Sequence, residues 1–269
     1  MNCETKMKQI YRVAYLGFSP EMVGYLAQCP DFELKLAVCD RQRVTGAYAD
    51  QCTRAGCLLR YADTSKELSD VVKRDSTQID FFVVYKTALI VKTDLLERYV
   101  FYNFHPGDLS DNKGAHPLAW TLLLDKPTAV LSLHQINEKI DEGILIDTYS
   151  VTTELTDDPI ALEKRLEKGV PQLLERLVSF VQGTWPGKTV KAGGYRRKVR
   201  PEDFTINEQT DTVRMIIRKI QSQKPYQGAI FHEFYVSGYR LDVQTAEVRR
   251  NEMYLPRQKI VLCDLQKRT

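Results

Sequence analysis

Asn103, His105 and Asp141 are the side chains in this chain whose types and spacing suit chemistry best. The first two lie in the run Phe101-Tyr-Asn-Phe-His-Pro-Gly107, at the end of an apolar stretch. Two residues apart on a strand, they point to the same side. Asp141 follows in the turn Ile140-Asp-Glu-Gly143. An amide N–H that meets a developing oxyanion, a ring that holds a proton and a carboxylate that orients the ring are the parts of an acyl transfer. Open α/β sheets keep such groups beyond the carboxyl ends of their strands.

The elements that must position them alternate along the first two-thirds of the chain. Apolar runs at 11–16, 33–39, 78–85, 101–105, 128–136 and 144–151 read as strands. Segments 20–28, 92–98, 116–124, 159–168, 171–181 and 211–223 read as helices, several with Pro at the first turn. Right-handed crossovers make the early strands parallel. The expected fold class is α/β, a Rossmann-like, mostly parallel sheet with flanking helices and a small β-rich C-terminal region. Residues 1–188 are expected to form the catalytic domain. A linker, a helix and the β-rich subdomain take up 189–269, with a hairpin expected to turn at Ser237-Gly238 between the runs 229–236 and 239–243. Gly17 and Gly24 do not complete a G-x-G-x-x-G, which argues against a dinucleotide there.

Composition narrows the classes. In 269 residues, 38 Lys and Arg oppose 35 Asp and Glu, a net charge of +3 that gives little support to nucleic acid and none to a membrane. No window approaches the roughly 18 apolar residues of a spanning helix, and the N-terminus has no apolar leader, so a soluble cytoplasmic protein is expected. Six dispersed cysteines without C-x-x-C spacing suggest reduced thiols and no metal.

Four motifs in order carry a resemblance: Asn103-Phe-His-Pro106, Gly114-Ala-His-Pro-Leu-Ala-Trp120, Leu131-Ser-Leu-His134 and Asp141-Glu-Gly-Ile144. Together, over about residues 10 to 205, they resemble the formyltransferases that use N10-formyltetrahydrofolate. The resemblance implies that Asn103, His105 and Asp141 are catalytic. It also implies that the donor is gripped by the loop after the fourth strand, Thr87, Ala88, Leu89 and Ile90, and by the turn Asn137, Glu138, Lys139 and Ile140. The loop His105-Pro-Gly-Asp-Leu-Ser-Asp-Asn-Lys-Gly114 departs from the family's H-P-S-L-L-P pattern, and its carboxylates Asp108 and Asp111 read as solvated charges or as a receiver of a cationic amine.

His116 and His134 match patterns of the sugar N-formyltransferases. So do Tyr195-Arg-Arg-Lys-Val-Arg-Pro-Glu-Asp203 and Lys224-Pro-Tyr-Gln-Gly-Ala229. The implied acceptor is a primary amine on a nucleotide-linked amino-deoxysugar, bound by His116, Trp120, His134, Arg196 and Arg197. Methionyl-tRNA, glycinamide ribonucleotide, an amino-acid-derived amine and water are the rival acceptors within the fold. A noncatalytic folate or nucleotide sensor is the alternative of another class. A homodimer without nucleic acid or membrane partners is the expected assembly.

Overall fold

A computed structural model describes residues 9–139, 141–190, 194–241, 249 and 251–268. The chain runs β1 (Tyr11–Gly17), α1 (Pro20–Gln28), β2 (Phe32–Cys39), α2 (Gly46–Ala55), β3 (Leu58–Tyr61), α3 (Ser65–Asp75), β4 (Phe81–Tyr85), α4 (Thr93–Leu96), β5 (Phe101–His105), β6 (Lys113–Gly114), α5 (Pro117–Leu123) and β7 (Thr128–Gln135). It continues through β8 (Ile144–Thr152), α6 (Pro159–Glu167), α7 (Val170–Val181), β9 (Lys188–Thr189), β10 (Tyr195–Arg196), α8 (Pro201–Phe204), α9 (Val213–Gln223), β11 (Ala229–Phe231), β12 (Phe234–Arg240), β13 (Met253–Leu255) and β14 (Ile260–Lys267). Internal contacts divide it into two compact units. One comprises Met1–His105, Ser132–Thr148 and Gly169–Ala192, the other Pro106–Leu131, Tyr149–Lys168 and Gly193–Thr269.

The first unit is built on a sheet of order β3-β2-β1-β4-β5-β7-β8-β9. The five strands from β3 to β5 are parallel, whereas β7 runs antiparallel to β5 and β9 antiparallel to β8. The sequence dictates much of this. All five residues of β4 are buried, as both faces of a central parallel strand require. Helix α1 starts where the Ser19 hydroxyl accepts from the Met22 N–H and Pro20 takes the first turn. In α7, Val170, Leu173, Leu174, Leu177 and Val178 make one buried stripe. The expected strands at 11–16, 33–39, 101–105, 128–136 and 144–151 form within one residue of those bounds, whereas the strand expected over 78–85 begins at Phe81.

The second unit holds an antiparallel sheet of order β11-β12-β14-β13. The buried face of α9, with Ile216, Ile217 and Ile220, joins Phe231, Val236, Leu255, Ile260 and Leu262 in its core. The hairpin turns earlier than the sequence suggests. Phe231 pairs with Phe234 around His232 and Glu233, with His232 left-handed at φ 50°. Gly238 lies inside β12 opposite Cys263, where a Cβ would come within 2.4 Å of an Asp264 carboxylate oxygen. That glycine marks a close approach in a strand rather than a turn. The run expected to end at Val243 reaches beyond the described residues. Among those described, no helix is long and apolar enough to cross a membrane.

Candidate active site

Strand β5 ends in the two candidate residues Asn103 and His105. Its parallel pairing sets Val84 against Asn103, and its antiparallel pairing with β7 sets Asn103 against His134 and His105 against Ser132. Residues directly opposed across two strands put their side chains on one face. The Asn103 Nδ2 lies 3.1 Å from the His134 Nε2, while the His134 Nδ1 lies 3.2 Å from the backbone oxygen of Gln135. A carbonyl oxygen only accepts, so Nδ1 carries the proton and Nε2 offers its lone pair to the Asn103 amide. An amide nitrogen has two hydrogens. One points to His134, and the second has no partner among the described residues.

Asp141 completes the cluster. Its Oδ2 is 3.6 Å from the His105 Nδ1 and its Oδ1 is 3.5 Å from the His134 Nε2. The side chains of His105, His134 and Asp141 are 7%, 2% and 10% exposed, so one carboxylate faces two imidazoles largely away from water. Both separations are within ion-pair distance.

Asp141 gets there through a strained turn. It is left-handed at φ 54°, a conformation that Asp tolerates better than most residues. Two positions on, Gly143 passes so close to β7 that a Cβ would lie 1.5 Å from the Gln135 carbonyl oxygen. Gly143→Ala should push the turn away and carry Asp141 with it. The expected cost is about 1–3 kcal/mol of stability from overpacking, read as a lower urea midpoint, together with lost turnover.

No family model matches the chain. Among curated proteins, the bifunctional polymyxin resistance protein ArnA of Wigglesworthia glossinidia brevipalpis is 25% identical over 175 residues, which are 61% of this chain and 26% of that protein. A methionyl-tRNA formyltransferase of Bifidobacterium longum is 28% identical over 143 residues, 51% of this chain and 42% of that protein. The chain thus spans less than half the length of either relative. A sugar N-formyltransferase from a Shewanella species has a TM-score of 0.64 at 17% identity, covering 96% of this chain and 98% of its own. HypX from Aquifex aeolicus, solved in complex with tetrahydrofolic acid, has a TM-score of 0.71 at 13% identity, covering 96% of this chain and 44% of its own. The chain has the formyltransferase fold. Formyltransferases are its homologues and its structural neighbours.

Within the formyltransferase fold, the loop after β4 begins with Lys86 left-handed at φ 54°, and the Thr87 hydroxyl accepts from the Leu89 N–H at 3.1 Å. Leu89 and Ile136 both pack on the core of the first unit, while Ala88 and Ile90 are exposed. The Tyr15 hydroxyl fixes the start of this loop by donating to the Tyr85 carbonyl at 2.9 Å and accepting from the Ser19 N–H at 3.0 Å. On the other turn, the Asn137 side chain donates to the Glu142 carbonyl and accepts from the Lys139 N–H. Asn137, Glu138 and Lys139 are exposed, and Ile140 lies outside the described residues. Beneath the turn is a cavity of about 330 Å³ lined by Gln135, Ile136, Asn137, Glu142, Gly143, Ile144 and Thr189.

The remaining residues expected to bind the acceptor belong to the second unit. The Trp120 indole N–H donates to the Arg197 carbonyl at 2.7 Å, and the Arg196 and Arg197 guanidinium carbons lie 6.0 and 5.5 Å from its ring centre. Arg197 and Arg196 differ in what engages them. Both terminal nitrogens of Arg197 bind Asp203, at 2.6 and 2.8 Å, which holds the Asp203 carboxyl below the usual carboxylate range. Arg196 donates through Nε to the Asp111 carbonyl, leaving its two terminal nitrogens without a partner among the described residues. His116 caps α5 in the left-handed region at φ 56°, and burial followed by the nearby Lys198 pushes its ring below the ordinary histidine range. It lines a cavity of about 210 Å³ with Pro106, Pro117, Pro159, Pro225 and Tyr226.

The sequence pattern places His134 with the acceptor residues, whereas in the structure its ring contacts the Asn103 amide. The spacing Ser132-x-His134 on a strand was the available signal, but it needed the antiparallel register with β5 to be read.

Proposed function

We propose that the chain transfers a formyl group from N10-formyltetrahydrofolate to a primary amine, and that the amine belongs to a nucleotide-linked amino-deoxysugar. The observation that carries the reading is the Asn103 amide, oriented by His134 with one N–H to spare, next to a paired His105 and Asp141. A donor N–H held in a largely buried cluster fits a substrate whose carbonyl oxygen gains charge during reaction. The residues fit the donor in this respect, and Thr87, Ala88, Leu89, Ile90, Asn137, Glu138 and Lys139 would hold its ring system.

In the reaction the amine nitrogen bonds the formyl carbon and the bond from that carbon to N10 breaks. Asn103 donates to the oxygen that becomes negative. His105 takes the proton the amine loses and returns one to N10, while Asp141 stabilises the ring as it becomes a cation. Arg196, with its terminal nitrogens uncommitted, is the side chain suited to a diphosphate, and Arg197 shapes the Trp120 segment through Asp203.

The sugar acceptor is supported by the sugar N-formyltransferase likeness along nearly the whole chain. Methionyl-tRNA is the second reading, favoured by the name of the Bifidobacterium longum relative. The two part in one assay. Tetrahydrofolate release is measured with nucleotide-linked aminosugars, methionyl-tRNA and free amines, for wild type and His105→Ala. Release that needs an aminosugar and disappears in the variant is expected. Release with charged tRNA alone would replace the acceptor, and folate binding without release would leave a sensor.

A further inference from the structure

Helix α2 ends in a motif that presses two cysteines together. Gly56 is left-handed at φ 67° and its N–H reaches the carbonyls of Cys52 and Thr53. The N–H of Cys57 then donates back to the Cys52 carbonyl at 3.1 Å. This is the Schellman arrangement, in which the side chains at the two ends of the long hydrogen bond come into contact. Those ends are Cys52 and Cys57. The Cys57 thiol also donates to the Cys52 carbonyl at 3.5 Å. Cys52 is buried and Cys57 is half-buried, so Cys57 is the more accessible of the two.

We propose that Cys52 and Cys57 form a redox-modification site, a dithiol that peroxide converts into a reversible disulfide. The Cys57 sulfur attacks a peroxide oxygen, the O–O bond breaks, and Cys57 becomes a sulfenic acid as the first water leaves. The Cys52 sulfur then attacks that sulfenic sulfur, the S–S bond forms, and the expelled hydroxide leaves as water with the Cys52 proton. Two thiols lose two electrons and two protons, and one peroxide becomes two waters.

The chemistry of the two thiols supports this order. A hydrogen bond from the Cys52 thiol holds Cys57 below the ordinary thiol range, and the same contact raises Cys52, with burial adding to it. Cys57, the less buried of the two, is therefore the first to meet peroxide. Cys39 is buried and pushed up to about 11, mainly by that burial, so it should react last. None of this depends on formyl transfer.

The test uses the full chain treated with hydrogen peroxide, then unfolded, alkylated and peptide-mapped. Alkylation is expected to fall by two of the six cysteines, with a cross-link joining residues 52 and 57 that dithiothreitol reverses. Cys52→Ser should stop at a dimedone-reactive sulfenic acid on Cys57, and Cys57→Ser should form no cross-link at Cys52, each with an unchanged circular dichroism spectrum. Six alkylatable thiols after peroxide, or a cross-link to another cysteine, would overturn the proposal.

Discussion

Asn103→Ala is expected to lower turnover about 100- to 1000-fold, the usual loss when a single oxyanion donor is removed. The substitution is clean because Asn103 is half-buried and its backbone is held between Val84 on β4 and His134 on β7. Alanine removes the side-chain amide and leaves that pairing alone. The lost contact is one made to the charged transition state, so kcat and kcat/KM should fall together while donor binding changes little. Single-turnover tetrahydrofolate release measures this directly. A loss smaller than about tenfold would mean that the amide does not meet the oxyanion.

The largest stability effect is expected at Asp125. Its carboxylate takes both Arg214 and Arg218 of α9, and the Arg218 side chain is only 2% exposed. Arg218 also donates to the Glu154 carbonyl, while its remaining terminal nitrogen has no partner among the described residues. Asp125→Asn keeps the size and the tolerance for the left-handed φ of 49° but removes the charge. A buried guanidinium without its counter-ion costs about 3–5 kcal/mol, and the partly exposed carboxylate puts the expectation near 3. The urea midpoint should fall with the slope unchanged. Midpoints equal to wild type would show that water replaces the carboxylate.

The same contact predicts a pH dependence. Arg214 first, and then Arg218, hold the Asp125 carboxyl below the ordinary value of 3.8. A carboxyl whose folded value lies below its unfolded one stabilises the fold above the unfolded value, and that contribution fades as the pH falls through the folded value. Asp125→Asn should lose less stability than wild type on acidification below 3.8.

The strand that carries the candidate site was legible in the sequence, where local rules settle it. An apolar strand ending in Asn103-x-His105 fixes which way both side chains point, and residues 101–105 do form that strand. The relation of His134 to Asn103 was not legible, because it arises from an antiparallel pairing that no local pattern announces. Arg196 and Arg197 looked equivalent as a basic run. Only the bidentate contact to Asp203 separates them, and that contact depends on the fold of α8. The hairpin was misplaced because Ser237-Gly238 carries the stronger turn signal, whereas the chain turns on a left-handed His232. Residues 46–75 hold α2, β3 and α3, and β3 is only four residues long, too short for an alternation to register.

The carbonyl of Gln135 accepts from the His134 ring on one side and presses against Gly143 on the other. In a saturation scan scored on activity, position 143 would therefore behave like a member of the catalytic set. Every replacement adds at least a Cβ, so no codon change at that position is silent in effect unless it still encodes glycine. A lineage that drifts freely at the exposed Asn137, Glu138 and Lys139 would find this neighbour immobile, though it contributes no functional group of its own.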